Sequence, residues 1–169
     1  MKYSVSVLFV LTISFSFIIS CEETDPEVAN PTITLVSSEA TTSIGSTVSI
    51  TANIADLPAV FALSMRISFD SNRLTINDSQ TNWIGNLWSS SAIGLLEVES
   101  GVAYLSISQI AGSGNVSGDG TIMKLEITAE QVGVASLNLI QSQLIFYDES
   151  GAEITMSDLE LEGASITIE

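Results

Sequence analysis

Residues 62–69 read Ala62-Leu63-Ser64-Met65-Arg66-Ile67-Ser68-Phe69, a stretch in which apolar side chains alternate with small or polar ones. Successive side chains of a β-strand point to opposite faces, so this period of two predicts a strand with one buried face. The predicted core face carries Leu63, Met65, Ile67 and Phe69. The outward face carries Ala62, Ser64, Arg66 and Ser68. The stretch therefore predicts a sheet with one face in the core and the other available to solvent.

The same period of two recurs along the chain from Thr32 onward, and Val48, Ile50, Ala52 and Ile54 form a second predicted core face. Clusters of Gly, Asn, Asp and Ser separate the apolar segments, and no segment shows a helical stripe longer than two turns. The predicted strands are rich in β-branched and aromatic residues: 32–36, 47–54, 60–69, 102–110, 121–128, 135–140, 143–147 and 164–168. Eight or more short strands predict one all-β sandwich domain over residues 32–169.

The composition excludes several classes of function. The 169 residues include 20 Asp plus Glu, 4 Lys plus Arg and no His, for a formal charge of −16. Nucleic-acid binding needs clustered Lys and Arg, so no nucleic-acid partner is expected. Without His and with one Cys, the chain cannot form a Cys/His zinc site, a Ser-His-Asp triad or a Cys-His pair. We predict no catalytic residue, no cofactor and no metal site.

The first 31 residues differ from the rest. Lys2 precedes an uncharged apolar run from Val5 to Ile19, which is typical of a signal peptide over residues 1–20. The run ends in Ile18-Ile19-Ser20-Cys21, which resembles the lipobox of bacterial lipoproteins. That resemblance implies lipidation of Cys21 and an anchor of acyl chains in the membrane. The alternative is an unmodified Cys after an ordinary secretory signal.

Residues 21–31 are acidic, carry two prolines and show no apolar periodicity, which predicts an extended tether. An acidic cluster directly after a lipidated cysteine is similar to the surface-export signals of lipoproteins in some Gram-negative bacteria. The expected location is therefore the cell envelope, at the outer membrane or the cell surface. Cleavage before Cys21 would remove Lys2 and leave a charge of 3 − 20 = −17.

Five motifs follow one another along the chain: the glycine-led strand start at 45–50, the strand at 61–69 running into the Asp70 to Leu74 turn, the Asp-Gly turn and strand at 118–127, the late strand and turn at 144–154, and the closing strand at 163–168. In this order they resemble the cohesin family of dockerin-binding modules. The resemblance covers residues 32–169. It implies a nine-stranded jelly-roll sandwich that binds another protein and does no chemistry.

The resemblance also implies where a dockerin-bearing partner would bind. In the family, the strand that matches residues 61–69 contributes its outward side chains to one sheet face. Well-studied members carry an amide and a carboxylate where this chain has Ala62 and Ser64. The strand at 101–110 is expected in the same sheet, with Leu105 and Ile107 in the core. The candidate partner-binding residues are Ala62, Ser64, Arg66, Ser68, Tyr104, Ser106 and Ser108. Arg66 and Tyr104 are the expected anchors, because Arg and aromatic side chains dominate protein interfaces.

Other interpretations of the sequence stay open. Trp83 and Trp88 could stack on sugar rings, which would make the chain a polysaccharide-binding module, or they could close the core. The carboxylates at 148, 149 and 153, and those at 158, 160 and 162, could formally make a glycosidase-type pair, but a solvated turn and an exposed strand face are the preferred interpretation. A structural subunit of an envelope assembly is the remaining alternative.

Overall fold

A computed structural model describes residues 30–169 of the chain. Thirteen strands occupy this part: β1 Thr32–Ser37, β2 Thr41–Thr42, β3 Thr47–Val60, β4 Ala62–Phe69, β5 Leu74–Ile76, β6 Ile93–Glu99, β7 Val102–Ser108, β8 Val116–Ala129, β9 Gly133–Leu139, β10 Ile145–Tyr147, β11 Glu153–Ile154, β12 Glu160–Glu162 and β13 Ala164–Ile168. The only helical segment among residues 30–169 is a 3-10 turn at Gln141–Gln143, and no helix there is long and apolar enough to cross a membrane. The predicted signal peptide, Cys21 and most of the tether lie outside the described residues.

The strands form two sheets. One has five strands in the order β12-β1-β3-β8-β5, and the other has eight. In the eight-stranded sheet β4 is central: β7 lies along one edge with β6 outside it, while β10 and β9 share the other edge. The prediction of an all-β sandwich is confirmed. The count of nine strands is not confirmed, because several of the thirteen segments have only two or three residues.

The inner faces of both sheets form the core as the period of two predicts. Leu63, Met65 and Ile67 are buried in β4, and Phe69 is half-buried against the same core. The predicted core face of β3 is buried at all four positions, Val48, Ile50, Ala52 and Ile54. Apolar burial between two sheets of this kind is the main source of stability for a sandwich.

Several predicted boundaries were wrong. Residues 60–69 belong to two strands, because the chain bends at Phe61, whose N–H donates to the Tyr147 carbonyl while its own carbonyl accepts from the Gln109 N–H. β3 and β8 extend beyond their predicted limits and pair with each other over their length, with register shifts after Ala52, Ile54 and Leu57. The short strands β2, β5 and β11 had not been predicted, since two or three residues carry no measurable period, whereas β12 lies where an exposed strand face had been considered for the carboxylates at 160 and 162.

The largest strand missing from the prediction is β6, which pairs with β7 in a tight hairpin. The connection is the two-residue turn Ser100-Gly101, with φ of 51° and 80°, and Glu99 faces Val102 directly. Positive φ at both turn residues matches the twist of the flanking strands, and the second position suits glycine. The hairpin places β6 at the edge of the outward face formed by β4 and β7.

The inner face of β6 packs against the segment that precedes it. A Cβ atom added at Gly94 would lie 2.7 Å from the indole of Trp83. We therefore expect Gly94→Val to destabilise the fold by about 1–3 kcal/mol through overpacking, measured by urea unfolding. The matched control is Leu95→Val, the next residue of the same strand, which is 65% exposed and should change stability by less than about 0.5 kcal/mol. Equal stability of the two variants would contradict this packing.

Candidate functional site

The outward face of the eight-stranded sheet is defined by its register. Residues paired across neighbouring strands point to the same face, so each row of partners can be followed across the sheet. Four rows face outward. Followed towards β6, the first row is Glu153, Tyr147, Ala62, Ser108 and Ile93; the second is Ile145, Ser64, Ser106 and Leu95; the third is Arg66, Tyr104 and Glu97; and the fourth, which begins on β9, is Asn138, Ser68, Val102 and Glu99.

All seven predicted partner-binding residues lie on this outward face. Ala62, Ser64, Arg66 and Ser68 alternate with the buried residues of β4, and Tyr104, Ser106 and Ser108 alternate with the buried Ala103, Leu105 and Ile107 of β7. The two strands pair over seven residues, from Ala62 opposite Ser108 to Ser68 opposite Val102. Both strands lie in one sheet, as expected, and the structure shows in addition that they pair directly.

The first two rows form an open groove of about 430 Å³. Its floor consists of small side chains at the middle of each row, Ala62, Ser64, Ser106 and Ser108, and the Ser106 hydroxyl lies 3.4 Å from that of Ser64. Its walls are larger side chains: Tyr147 on one side, Ile93 and Leu95 on the other. Small residues between large ones give a sheet face a concave surface.

The walls were not identified from the sequence. Tyr147 reaches the groove only because β10 pairs with the first half of β4, and Ile93 and Leu95 reach it only through the β6–β7 hairpin. Ile93 is 63% exposed and Leu95 is 65% exposed, the two highest values among the large apolar side chains of residues 30–169. Exposed apolar residues gathered on one face are a mark of a binding surface.

The two predicted anchors contact each other in the third row. The Arg66 guanidinium carbon lies 4.8 Å from the centre of the Tyr104 ring, a cation–π arrangement. Arg66 of β4 and Tyr104 of β7 lie directly opposite each other in the register of these two neighbouring strands. Stacking holds both long side chains in place, which lowers the entropy lost when they contact a partner.

A hydrogen-bonded turn follows the groove residue Tyr147 in the chain. Between β10 and β11, the Asp148 carboxylate accepts hydrogen bonds from the Ser150 hydroxyl and from the backbone N–H groups of Ser150 and Ala152, at 2.7–2.9 Å. The Ser150 hydroxyl and these N–H groups hold the pKa of the Asp148 carboxyl below its ordinary value of 3.8. The turn orients Tyr147 and Glu153, which face each other on the outward side.

This turn gives a pH-dependent prediction. A carboxyl with a lowered native pKa stabilises the fold above its ordinary pKa, and the contribution is lost as the pH falls through the native value. We expect Asp148→Asn to lower the urea midpoint at neutral pH, and the difference from wild type to disappear as the pH falls below the ordinary value of 3.8 and through the lowered native pKa. The control is Glu149→Gln, which removes one charge from the exposed neighbour. A difference that stays constant from neutral pH to acid would contradict the role of the ionised Asp148.

Both tryptophans belong to the core. Trp83 is 7% and Trp88 is 5% exposed, and the Trp88 indole N–H donates to the Ile122 carbonyl at 3.1 Å. Their segment runs beside β8, where the Gly85 and Leu87 N–H groups donate to the backbone. A crevice of about 810 Å³ follows this loop and is lined in part by both tryptophans, but with 5–7% of each side chain exposed little ring surface is left for stacking on a sugar. The sugar-binding alternative is therefore not favoured.

The acidic clusters are spread over exposed positions. Glu149, Glu153, Asp158, Glu160 and Glu162 are all exposed. Within residues 30–169, no group of three or more Cys, Asp or Glu side chains is arranged to hold a metal ion. The lowered pKa of Asp148 is the opposite of what a general acid needs at neutral pH.

Two packed sheets with an open groove on one outward face define a β-sandwich binding module. The cohesin domain family model matches residues 31–162. The chain therefore belongs to the cohesin family, as the five motifs predicted. A comparison with curated proteins gives no match.

Solved cohesin structures share this fold. A non-cellulosomal cohesin from the archaeon Archaeoglobus fulgidus aligns with a TM-score of 0.66 and 20% identity, over 83% of this chain and 92% of that one. A type II cohesin domain from the cellulosome of Acetivibrio cellulolyticus gives 0.68 and 16%, over 82% and 95%. The third cohesin of ScaC from Acetivibrio cellulolyticus, solved in complex with the ScaB dockerin, gives 0.67 and 19%, over 82% and 98%.

Proposed function

We propose that this chain is a lipid-anchored receptor of the cell envelope that captures a dockerin-bearing protein on the outward face of its eight-stranded sheet. The observation that carries the proposal is the coincidence, in a cohesin domain, of an open groove and a stacked Arg66–Tyr104 pair on one face. The complex of the ScaC cohesin with a dockerin supports the choice of partner. The mechanism is non-covalent association, and the protein catalyses no reaction.

The physical basis is an interface with a few anchors surrounded by small residues. Arg and Tyr are over-represented among the residues that dominate binding energy, and a ring of small polar neighbours keeps water away from them. Ser64, Ser68, Ser106 and Ser108 provide such neighbours on this face. The net charge of −16 would also accelerate the approach of a basic partner at low salt.

The test is capture from the native cell extract and secretome with the full chain in mild detergent, read by mass spectrometry with and without calcium. Dockerins fold around calcium, so the proposal expects recovery of dockerin-bearing proteins only when calcium is present. Recovery of glycans alone, or the same proteins with and without calcium, would contradict it. An empty-resin control removes nonspecific proteins.

The anchor is tested separately through Cys21. We expect Cys21→Ala to move the protein from the membrane fraction to the soluble fraction and to abolish labelling by a fatty-acid analogue, because stable retention needs acyl chains. Cys21→Ser, which also lacks the thiol, is a second test variant and should behave in the same way. Membrane retention of both variants would contradict lipid anchoring, and protection of the domain from protease on intact cells would contradict surface exposure.

A further inference from the structure

The walls of the groove are apolar, whereas the charged side chains that surround it are mostly carboxylates. Ile93 and Leu95 present apolar side chains that are about two-thirds exposed, and the floor between them and Tyr147 holds no charged group. On the same outward side of β6, the next two positions are Glu97 and Glu99, both exposed. One edge strand therefore presents two apolar residues followed by two carboxylates along a single line.

Glu153 adds a third carboxylate at the opposite end of the first row, beyond Tyr147. The groove is thus lined by apolar walls and small uncharged floor residues, with Glu153 beyond the Tyr147 wall and Glu97 and Glu99 next in line along β6; Arg66 is the one cationic residue among the four outward rows. Burying an apolar side chain of a partner in the groove is favourable at about 25 cal/mol per Å² of apolar surface. Carboxylates at the rim favour a partner with positive charge and disfavour one with negative charge.

These charges argue against a second copy of this chain as the occupant. Two copies that met through this face would bring Glu97 and Glu99 of each into the same interface. Charged residues on an edge strand also oppose edge-to-edge pairing. A basic partner would add no further carboxylates to the interface, and it would not need to pair with the edge of β6.

From this pattern, and resting on the proposed function, we propose that the dockerin-type partner places one large aliphatic side chain in the groove, next to a Lys or Arg that contacts Glu97 or Glu99. Leu95 and the small floor residues Ser64 and Ser106 then determine specificity, because they set the depth of the groove. The Arg66–Tyr104 pair contacts the partner next to the groove.

The test selects binding modules from a library, so the natural partner need not be identified first. The probe is a displayed library of a calcium-loaded dockerin scaffold with its exposed helix positions randomised, selected on the full chain in mild detergent. We expect enrichment of Leu, Ile or Met at one position and of Lys or Arg one helical turn away, since residues three or four apart share a helix face. We expect selected modules to bind Leu95→Asp and the groove-filling Ser64→Leu at least about 30-fold more weakly than wild type, as for a central interface residue.

Two variants complete the design. Glu97→Gln with Glu99→Gln should reduce the salt dependence of binding, because screening then acts on fewer opposite charges. Val134→Asp is the matched control: Val134 is 60% exposed on the outer side of β9, in the same sheet, and does not line the groove. It should leave binding unchanged.

The outcomes separate the two proposals. If no module is enriched on the wild-type chain, the proposed function fails and this inference fails with it. If modules are enriched but bind Leu95→Asp as tightly as wild type, or carry acidic residues at the selected positions, the inference is overturned while dockerin capture stands.

Discussion

Replacing Arg66 and Tyr104 together by alanine is expected to weaken binding of a captured dockerin module by about 100-fold. The two side chains form the only cation–π pair among the described residues, at 4.8 Å, and both lie on the outward face beside the groove. Because the stacked guanidinium and ring act as one unit, each single variant should already show most of the loss, and the two single losses should sum to more than the double. Isothermal titration calorimetry measures the three affinities.

The double variant should fold normally, because both side chains lie on the outer face of the sheet and neither belongs to the core. An unchanged urea midpoint would confirm that lost binding reflects lost contacts. The matched control is Ser136→Ala, an exposed residue of β9 in the same sheet, which should bind as wild type does. Wild-type affinity in the double variant would contradict the assignment of Arg66 and Tyr104 as anchors.

Replacing Trp88 by alanine is expected to lower the free energy of unfolding by about 3–5 kcal/mol. The indole is 5% exposed, and its N–H donates to the Ile122 carbonyl. The variant therefore leaves a cavity and removes a buried hydrogen bond, each of which is destabilising. Urea unfolding followed by far-ultraviolet circular dichroism measures the change.

The same variant separates the core role of Trp88 from the sugar-binding alternative. The control is Leu95→Ala, which shortens a 65% exposed side chain and should cost less than about 0.5 kcal/mol. A Trp88→Ala protein with wild-type stability and lost glycan binding would restore the sugar-binding alternative. Loss of stability with no glycan binding in the wild type would support the core role.

The core faces could be predicted because a strand repeats every two residues. Met65 and Arg66 are neighbours in sequence, yet one is buried and the other faces outward, as the alternation requires. The outward position of the candidate residues follows from the same rule. For this part of the face, the pattern within each strand was sufficient.

The groove could not be predicted in the same way, because its walls come from non-local pairing. Tyr147 contributes only because β10 pairs with β4, which lies far from it in the sequence. Ile93 and Leu95 went unrecognised because Leu95 and Leu96 are consecutive leucines and Gly94 interrupts the period. The Ser100-Gly101 turn was the available signal, since a two-residue turn between two apolar runs is typical of a hairpin.

The tryptophans illustrate a different limit. Sequence spacing does not show whether an aromatic ring faces solvent or the core, because that depends on which element packs over it. Trp83 is covered because the inner face of β6 has a glycine where any larger residue would meet the indole. This contact identifies Trp83 as a core residue, and the hydrogen bond from the buried Trp88 indole to the Ile122 carbonyl does the same for Trp88.

The most direct test of the central claim is to map the bound partner on the protein by NMR chemical-shift perturbation, with a calcium-loaded dockerin module added to the isotope-labelled chain. We expect perturbed amides along β4, β6, β7 and β10, centred on Ser64, Tyr104 and Ser106, and no perturbation when calcium is removed. Perturbations confined to the five-stranded sheet or to the loop that carries Trp83 and Trp88 would contradict dockerin capture on the outward face.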